Sequence, residues 1–415
     1  MTFFIGAVLF IQTLEIENGS GIMFGIGDQP VTISRQFNYA PNDIALAFTN
    51  VAIGRYGEDS LRGAKLRFWS RRSIFYLTIK TGFNQEDKGI FGGVHIENLK
   101  LHASFIVCPQ DEDGFCPEIR CLVQPKYRQE AENFLDAVKE YLTEHSIYKG
   151  KAIKINCDFV DVSGINESGF IYSQEISQQL KANIWTIIEQ PERCAQVKIK
   201  RQRKILLAGT YGAGKTFTAL LTAKKAIDNG WTFIYLPPTD KWDEDSFLYA
   251  LELARKYQPA VVFVEDIDHE QRFDSDYVFK KILSDVDGLV SKNDEILMVM
   301  TTNRPDKIDG ALLRPGRIDR IIKLGKLTKR DIERMITLTI DKNFLDENIK
   351  WDELAKICLS LNYPPAFVME IAKDALLLMI SENREKVTTE MLVQSAESLK
   401  GQVKSCNKPL GFSEE

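Results

Sequence analysis

A chain of 415 residues is long enough for two or three domains, and 44% apolar with 27% charged residues is an ordinary globular composition. The net charge of −5 gives no support to bulk binding of nucleic acid or of an anionic membrane surface. Seven scattered cysteines do not form a disulfide framework, and no lipidation motif is present, which points to a reducing compartment, the cytoplasm.

Residues 1–125 read as a β-rich domain of the sandwich or barrel class. Strand-like runs include Val8–Ile16, Ile44–Phe48, Ser73–Ile79 and Phe105–Val107, separated by turn clusters such as Asn18–Gly21, Gly54–Gly57 and Asp111–Gly114. The apolar run Phe3–Ile11 is too short to span a bilayer and follows no basic region, so it reads as a strand rather than an anchor. Arg62, Lys65, Arg67, Arg71 and Arg72, interleaved with Phe68 and Trp69, fit a solvated strand edge better than a nucleic-acid stripe. His95, His102, Cys108, Cys116 and Cys121 lack the tight Cys pair of a structural zinc site.

Across 126–157 the period changes. Tyr127, Ala131, Phe134, Leu135, Val138, Tyr141 and Leu142 fall on one helical face, and the strand-like Ala152–Asn156 follows. A second helix is expected near Ser173–Glu189.

Ile205–Ala208 then reads as a short buried strand running into Gly209-Thr-Tyr-Gly-Ala-Gly-Lys-Thr216, after which apolar residues recur at helical spacing. A glycine-rich turn between strand and helix lets backbone N–H groups curl around phosphate oxygens at the positive end of a helix. In this P-loop Lys215 would reach the β- and γ-phosphates and Thr216 would ligate Mg²⁺. Trp231–Leu236 reads as the next strand and Asp245–Tyr257 as a helix. The continuous apolar run Ala260–Val264 fits a central parallel strand buried on both faces, and it ends in Glu265-Asp266-Ile267-Asp268. Carboxylates at the carboxyl end of such a strand can support Mg²⁺ and orient water, although Asp268 could equally be a helix cap. A fourth strand, Glu295–Met300, leads to Thr301, Thr302 and Asn303, and arginines follow at 314, 317 and 320.

The chain from about Asp158 to Gln402 resembles a single module of the AAA+ ATPases, of the AAA clade proper. The resemblance rests on Gly209–Thr216 and on the string Thr301–Arg320, which is similar to that clade's second region of homology. It implies a doubly wound P-loop domain over 158–325, a small helical lid over 326–402 and a loose tail over 403–415. It further implies ATP and Mg²⁺ as ligands, with Gly209, Thr210, Tyr211, Gly212, Ala213, Gly214, Lys215, Thr216 and Phe217 around the phosphates. Asp161, Val162 and Gly164 resemble the segment that holds the adenine, and Ala366 of the lid would lie near it. Asn303 matches the sensor that orients water, and Arg317 with Arg320 match a finger pair acting on a neighbouring subunit.

Three departures from the family pattern stand out. The strand that usually ends Asp-Glu ends Glu265-Asp266, so by position Glu265 takes the metal role and the shorter Asp266 polarises water. The pore-loop segment reads Lys241-Trp242-Asp243-Glu244, with Trp242 either gripping substrate or packed on its own subunit. The lid segment that usually reads Ser-Gly-Ala-Asp is Pro364-Pro-Ala-Phe367.

The function implied is a Mg·ATP-dependent motor working as a ring, hexameric as in the family, that remodels, unfolds or threads protein substrates. Its N-terminal domain would recruit substrate or an adaptor, with no membrane partner. Two other readings stay open: a nucleotide-gated assembly scaffold with slow hydrolysis, and a nucleic-acid remodeller resting only on Arg62–Arg72.

Overall fold

The computed structural model describes residues 29–402 apart from 38, 64–73, 109, 112–113, 116, 170, 239–243, 268–293 and 305–316. These residues divide into two compact units. The first runs up to Lys151 and includes Asn156–Phe159; the second comprises Ala152–Ile155 and the chain from Val160 onward.

Alternating burial builds the first unit. Strands β1 (Val31–Gln36), β2 (Leu61–Gly63), β5 (Gly92–Glu97), β6 (His102–Val107) and β9 (Glu118–Val123) form an antiparallel sheet in the order β1-β9-β6-β5-β2. Hairpins β3 (Tyr76–Gly82) with β4 (Gln85–Ile90) and β7 (Gln110–Asp111) with β8 (Gly114–Phe115) lie outside it. One sheet face carries Val94, Ile96, Ala103, Phe105, Ile119 and Cys121, all buried against two helices, α1 (Pro41–Tyr56) and α2 (Arg128–His145). The Phe48 ring meets Phe105 and Phe134 edge-on, with centroids 5.3 and 5.2 Å away.

Two expectations are corrected here. Among the described residues the mainly β domain carries a five-stranded antiparallel sheet with helices packed on it and two separate hairpins, rather than the two packed sheets of a sandwich or a closed barrel. Ile44–Phe48, read as strand-like, lies in α1, as does most of the turn cluster at Gly54. Pro41 opens that helix, and its residues are buried on nearly every side between α2 and β4, so no amphipathic period marks it. Gly89 makes the close approach possible, because a Cβ there would lie 3.1 Å from Ala45 Cβ and 2.4 Å from Ile79 Cδ1. Buried Asp43 accepts hydrogen bonds from Ser146 Oγ (2.6 Å) and the Ile147 amide (3.1 Å), tying α1 to the end of α2.

The second unit is built on a parallel sheet in the order β10-β12-β13-β14-β11-β15. Its strands are β10 (Ala152–Lys154), β11 (Arg203–Ala208), β12 (Thr232–Leu236), β13 (Ala260–Val264), β14 (Ile296–Thr302) and β15 (Arg320–Lys323). Every residue of β13 and β14 is buried, as parallel strands covered on both faces require. Ahead of β11 come α3 (Gln174–Leu180), a π-helical turn at Lys181–Trp185, α4 (Thr186–Glu189) and α5 (Pro191–Gln196). Helices α6 (Lys215–Asp228) and α7 (Glu244–Lys256) follow β11 and β12.

The C-terminal helices have their own core. Helices α8 (Lys329–Thr339), α9 (Trp351–Ser360), α10 (Pro365–Ser381) and α11 (Thr389–Ser398) bury Ile332, Ile336, Leu354, Val368, Ile371 and Leu392 together. Thr328 and Asp331 form a full capping box at the start of α8, as their spacing suggests. Among the described residues, no helix is long and apolar enough to cross a membrane. The run at Phe3–Ile11 lies outside them.

Candidate functional site

Strand register brings three chain segments to one end of the sheet. Ala208 pairs with Thr302, and Val264 with Met300, so Gly209, Asn303 and Glu265 leave adjacent strands at neighbouring levels. This is the carboxyl edge where parallel sheets take their ligands.

The loop between β11 and α6 depends on glycine at two points. Gly212 has φ +75°, and a Cβ there would lie 2.9 Å from Ala366 Cβ. Gly214, the residue before α6, has φ +96° and passes under the Tyr172 ring. The Tyr172 hydroxyl hydrogen-bonds Thr218 Oγ1 at 2.6 Å and donates to the Gly214 carbonyl at 3.4 Å. Burial pushes that hydroxyl up to about 12.

Lys215 is 8% exposed, and its ammonium donates to Gly209 O (2.8 Å), Thr210 O (3.1 Å) and Asn303 Oδ1 (2.5 Å). Those bonds tie the phosphate loop to the end of β14. Asn303 itself is set by a turn in which the Arg304 amide donates to Thr302 Oγ1 at 3.0 Å. Thr210, Tyr211, Thr216 and Phe217 face solvent along the rim of the loop, whereas Ala213 is buried.

Glu265 is 8% exposed. One carboxylate oxygen accepts from the Tyr235 hydroxyl at 2.7 Å, while the other, Oε1, is buried with no hydrogen-bond partner among the described residues. Burial, reinforced by the Glu265 carboxylate, holds the Tyr235 hydroxyl far above the ordinary phenol range, so it stays a donor. Asp266 has φ +49°, a left-handed conformation that Asp and Asn tolerate best among L-residues.

The residues gathered here fit phosphate and a divalent cation. Gly212 and Gly214 supply the left-handed turns that a phosphate-binding loop needs, Lys215 supplies positive charge, and a Glu265 carboxyl oxygen with no hydrogen-bond partner among the described residues is a hard donor of the kind Mg²⁺ takes.

Helix α10 touches the loop directly, since the Ala366 amide donates to Gly212 O at 3.2 Å. Asp161 lies on the surface, where its Oδ1 accepts from Ser163 N (2.9 Å) and Ser163 Oγ (2.7 Å). Those bonds hold its carboxyl below the usual range. Val162 packs on the core that includes Ala213, and Gly164 is exposed. Arg317 and Arg320 are exposed near the amino end of β15, where Arg320 pairs with Ile205. That level is three residues before Ala208, roughly 10 Å along the strand from the phosphate loop. Trp242, Asp268 and Arg314 lie outside the described residues.

Elsewhere, Arg62 donates to the carbonyls of Asp59 (2.5 Å) and Leu61 (2.9 Å), while Lys65 to Arg72 lie outside the described residues. His95 bonds Ser104 Oγ at 2.9 Å, and no metal-binding group of three His, Cys, Asp or Glu occurs among the described residues.

Tyr172, Tyr235 and Thr301 had no part in the sequence-derived site. A polar residue near the carboxyl end of a central buried strand, next to the strand carrying the acids, is the signal that could have found Tyr235.

Residues 205–326 match the model of the ATPase family associated with various cellular activities (AAA). The ATP-dependent zinc metalloprotease FtsH of Mycoplasmopsis pulmonis is 28% identical over 263 residues, covering 59% of this chain and 34% of that protein. The cell division cycle protein 48 homolog of Archaeoglobus fulgidus is 27% identical over 327 residues, covering 75% of this chain and 43% of that protein. The proteasome-activating nucleotidase of Methanosarcina mazei is 24% identical over 306 residues, covering 64% and 70% respectively. The chain thus spans about a third to two fifths of the first two relatives. It carries an AAA+ ATPase domain at residues 205–326.

Proposed function

We propose that the chain is a Mg·ATP-dependent motor of the AAA clade that works as a ring, a hexamer, and remodels, unfolds or threads protein substrates. The observation that carries the reading is the junction of Lys215 with Gly209, Thr210 and Asn303, beside a buried acid with an unpaired oxygen. Lys215 and the loop amides bind phosphate, and Thr216 with Glu265 holds the metal. Bound Mg²⁺ supplies charge neutralisation on the phosphates. Asp266 takes a proton from the attacking water, and Asn303 orients that water. Asp161, Val162, Gly164 and Ala366 enclose the base.

Arg317 and Arg320 serve a neighbouring subunit. Their place roughly 10 Å down the strand from the loop of their own chain favours that assignment. Relatives named as a protease and as a proteasome-activating nucleotidase support protein as substrate, recruited by the N-terminal unit directly or through an adaptor. The reduced thiols of Cys121, Cys194 and Cys358 suit the cytoplasm.

A slower variant of the same reading, an assembly scaffold timed by hydrolysis, is favoured only by the shorter Asp266 in the base position. Steady-state turnover with and without a protein substrate separates the two.

The test is a mixing experiment. Arg317→Ala and Asp266→Asn subunits, each inactive alone, should regain activity when combined, because some composite sites carry both groups. Mixed rings that form yet stay inactive at every ratio would overturn action across subunits.

A further inference from the structure

The end of β13 is held in an unusual way. The Glu265 amide donates to Leu236 O on β12 (3.0 Å), and the Ile267 amide donates to Thr301 O on β14 (3.0 Å). Between them the chain turns through Asp266 at φ +49°. The Asp266 amide finds its acceptor on a side chain: it donates to Thr301 Oγ1 at 2.9 Å. The same hydroxyl approaches Asp266 Oδ1 at 3.4 Å, so one oxygen contacts both the backbone and the carboxylate of Asp266.

Thr301 can do this because it is fixed. It is fully buried, and its backbone pairs with Leu207 of β11 in the strand that feeds the phosphate loop. A left-handed Asp is strained relative to extended backbone and persists only where its surroundings demand it. Here the demand comes from a rigid neighbouring strand. A methyl group in place of the hydroxyl would take this acceptor from the half-buried Asp266 amide and leave the carboxylate free to rotate.

We infer that Thr301 is the positioning residue that holds Asp266 in its water-activating orientation, coupling the strand that carries Asn303 to the acid that performs hydrolysis. The inference rests on Asp266 being the group that activates water. A single hydroxyl accepting from the Asp266 amide while lying against its carboxylate restricts backbone and side chain together, which a bond to either one alone does not. Alignment of this kind governs turnover more than nucleotide affinity, because the attacking water is bound only loosely in the ground state.

The experiment compares Thr301→Val, Thr301→Ser, Asp266→Asn and the double variant Thr301→Val/Asp266→Asn in the full chain. Steady-state ATP hydrolysis and binding of a fluorescent ATP analogue are measured on each. Thr301→Val should lower kcat by about ten- to a hundredfold, the range of one lost orienting contact, with affinity for the analogue within about threefold of the parent. Thr301→Ser should keep most of the turnover, and in the Asp266→Asn background Thr301→Val should cost nothing further.

A parental kcat in Thr301→Val, a Thr301→Ser variant as slow as Thr301→Val, or an equal additional loss in the double variant would each overturn the inference. Analogue binding doubles as the check on folding. Should Thr301→Val not bind, Thr301→Ala, which removes the hydroxyl and opens space, takes its place under the same criteria. A fully active Asp266→Asn overturns the assignment of the acid and the inference with it, whereas an inactive Asp266→Asn beside a fully active Thr301→Val overturns the positioning role alone.

Discussion

Gly212→Ala perturbs a contact between α10 and the phosphate loop. The backbone there has φ +75°, which costs an L-residue about 1–2 kcal/mol relative to glycine. The new methyl would also lie 2.9 Å from Ala366 Cβ, closer than such carbons approach, so the start of α10 must retreat. Retreat stretches the 3.2 Å bond from the Ala366 amide to Gly212 O, worth about 1 kcal/mol. Together these amount to about 2–3 kcal/mol against the closed arrangement of loop and lid, or roughly 30- to 150-fold in nucleotide affinity if ATP binds that arrangement. Titration of a fluorescent ATP analogue reads the effect. Adding Ala366→Gly removes the colliding methyl, so the double variant should recover about fivefold while the cost of the left-handed backbone remains. Affinity unchanged in Gly212→Ala, or no recovery in the double variant, would refute the reasoning.

Two further outcomes follow from buried groups. Tyr235→Phe strips the 2.7 Å hydrogen bond from Glu265 and leaves both carboxylate oxygens without it. A bond to a charged acceptor is worth about 1.5–3 kcal/mol, so hydrolysis should fall at least tenfold and the Mg²⁺ requirement should rise; parental turnover across a Mg²⁺ titration would contradict this. In the first unit, burial above all, then the neighbouring His102, lowers His95 from 6.5 to about 4, with Glu97 opposing. The unfolded chain therefore binds the extra proton first. Stability is fully present above pH 6.5 and is lost as pH falls toward about 4, by up to about 3 kcal/mol. His95→Gln should flatten the fall in denaturation midpoint between pH 7.5 and 5, and an unchanged slope would remove His95 as its cause.

The strands and helices around the phosphate loop were legible because their signals are local. Four buried residues before the glycines, an all-apolar β13, and the Thr328–Asp331 cap each announce themselves within a few positions. Helix α1 was not legible, because burial on nearly every side erases the amphipathic period on which helix reading depends. The side chains that contact Glu265 and Asp266 were hidden for a different reason. Tyr235 lies 30 residues from Glu265, and Thr301 lies 35 from Asp266. Only the register of three parallel strands brings them together, and register between distant strands leaves no trace in spacing.

The left-handed backbone also gives a physical reason for the order Glu265-Asp266. At φ +49° an aspartate is better tolerated than a longer unbranched acid, since its short polar side chain can bond locally. The cost is reach, one methylene less than a glutamate would have.

The central claim is that ATP is hydrolysed at this site by Asp266, and Asp266→Asn addresses it most directly. The substitution keeps size and left-handed tolerance while removing the base. ATP binding and hydrolysis measured side by side should show parental affinity with turnover reduced by about a hundredfold or more. Turnover near the parental rate with binding intact would contradict the account.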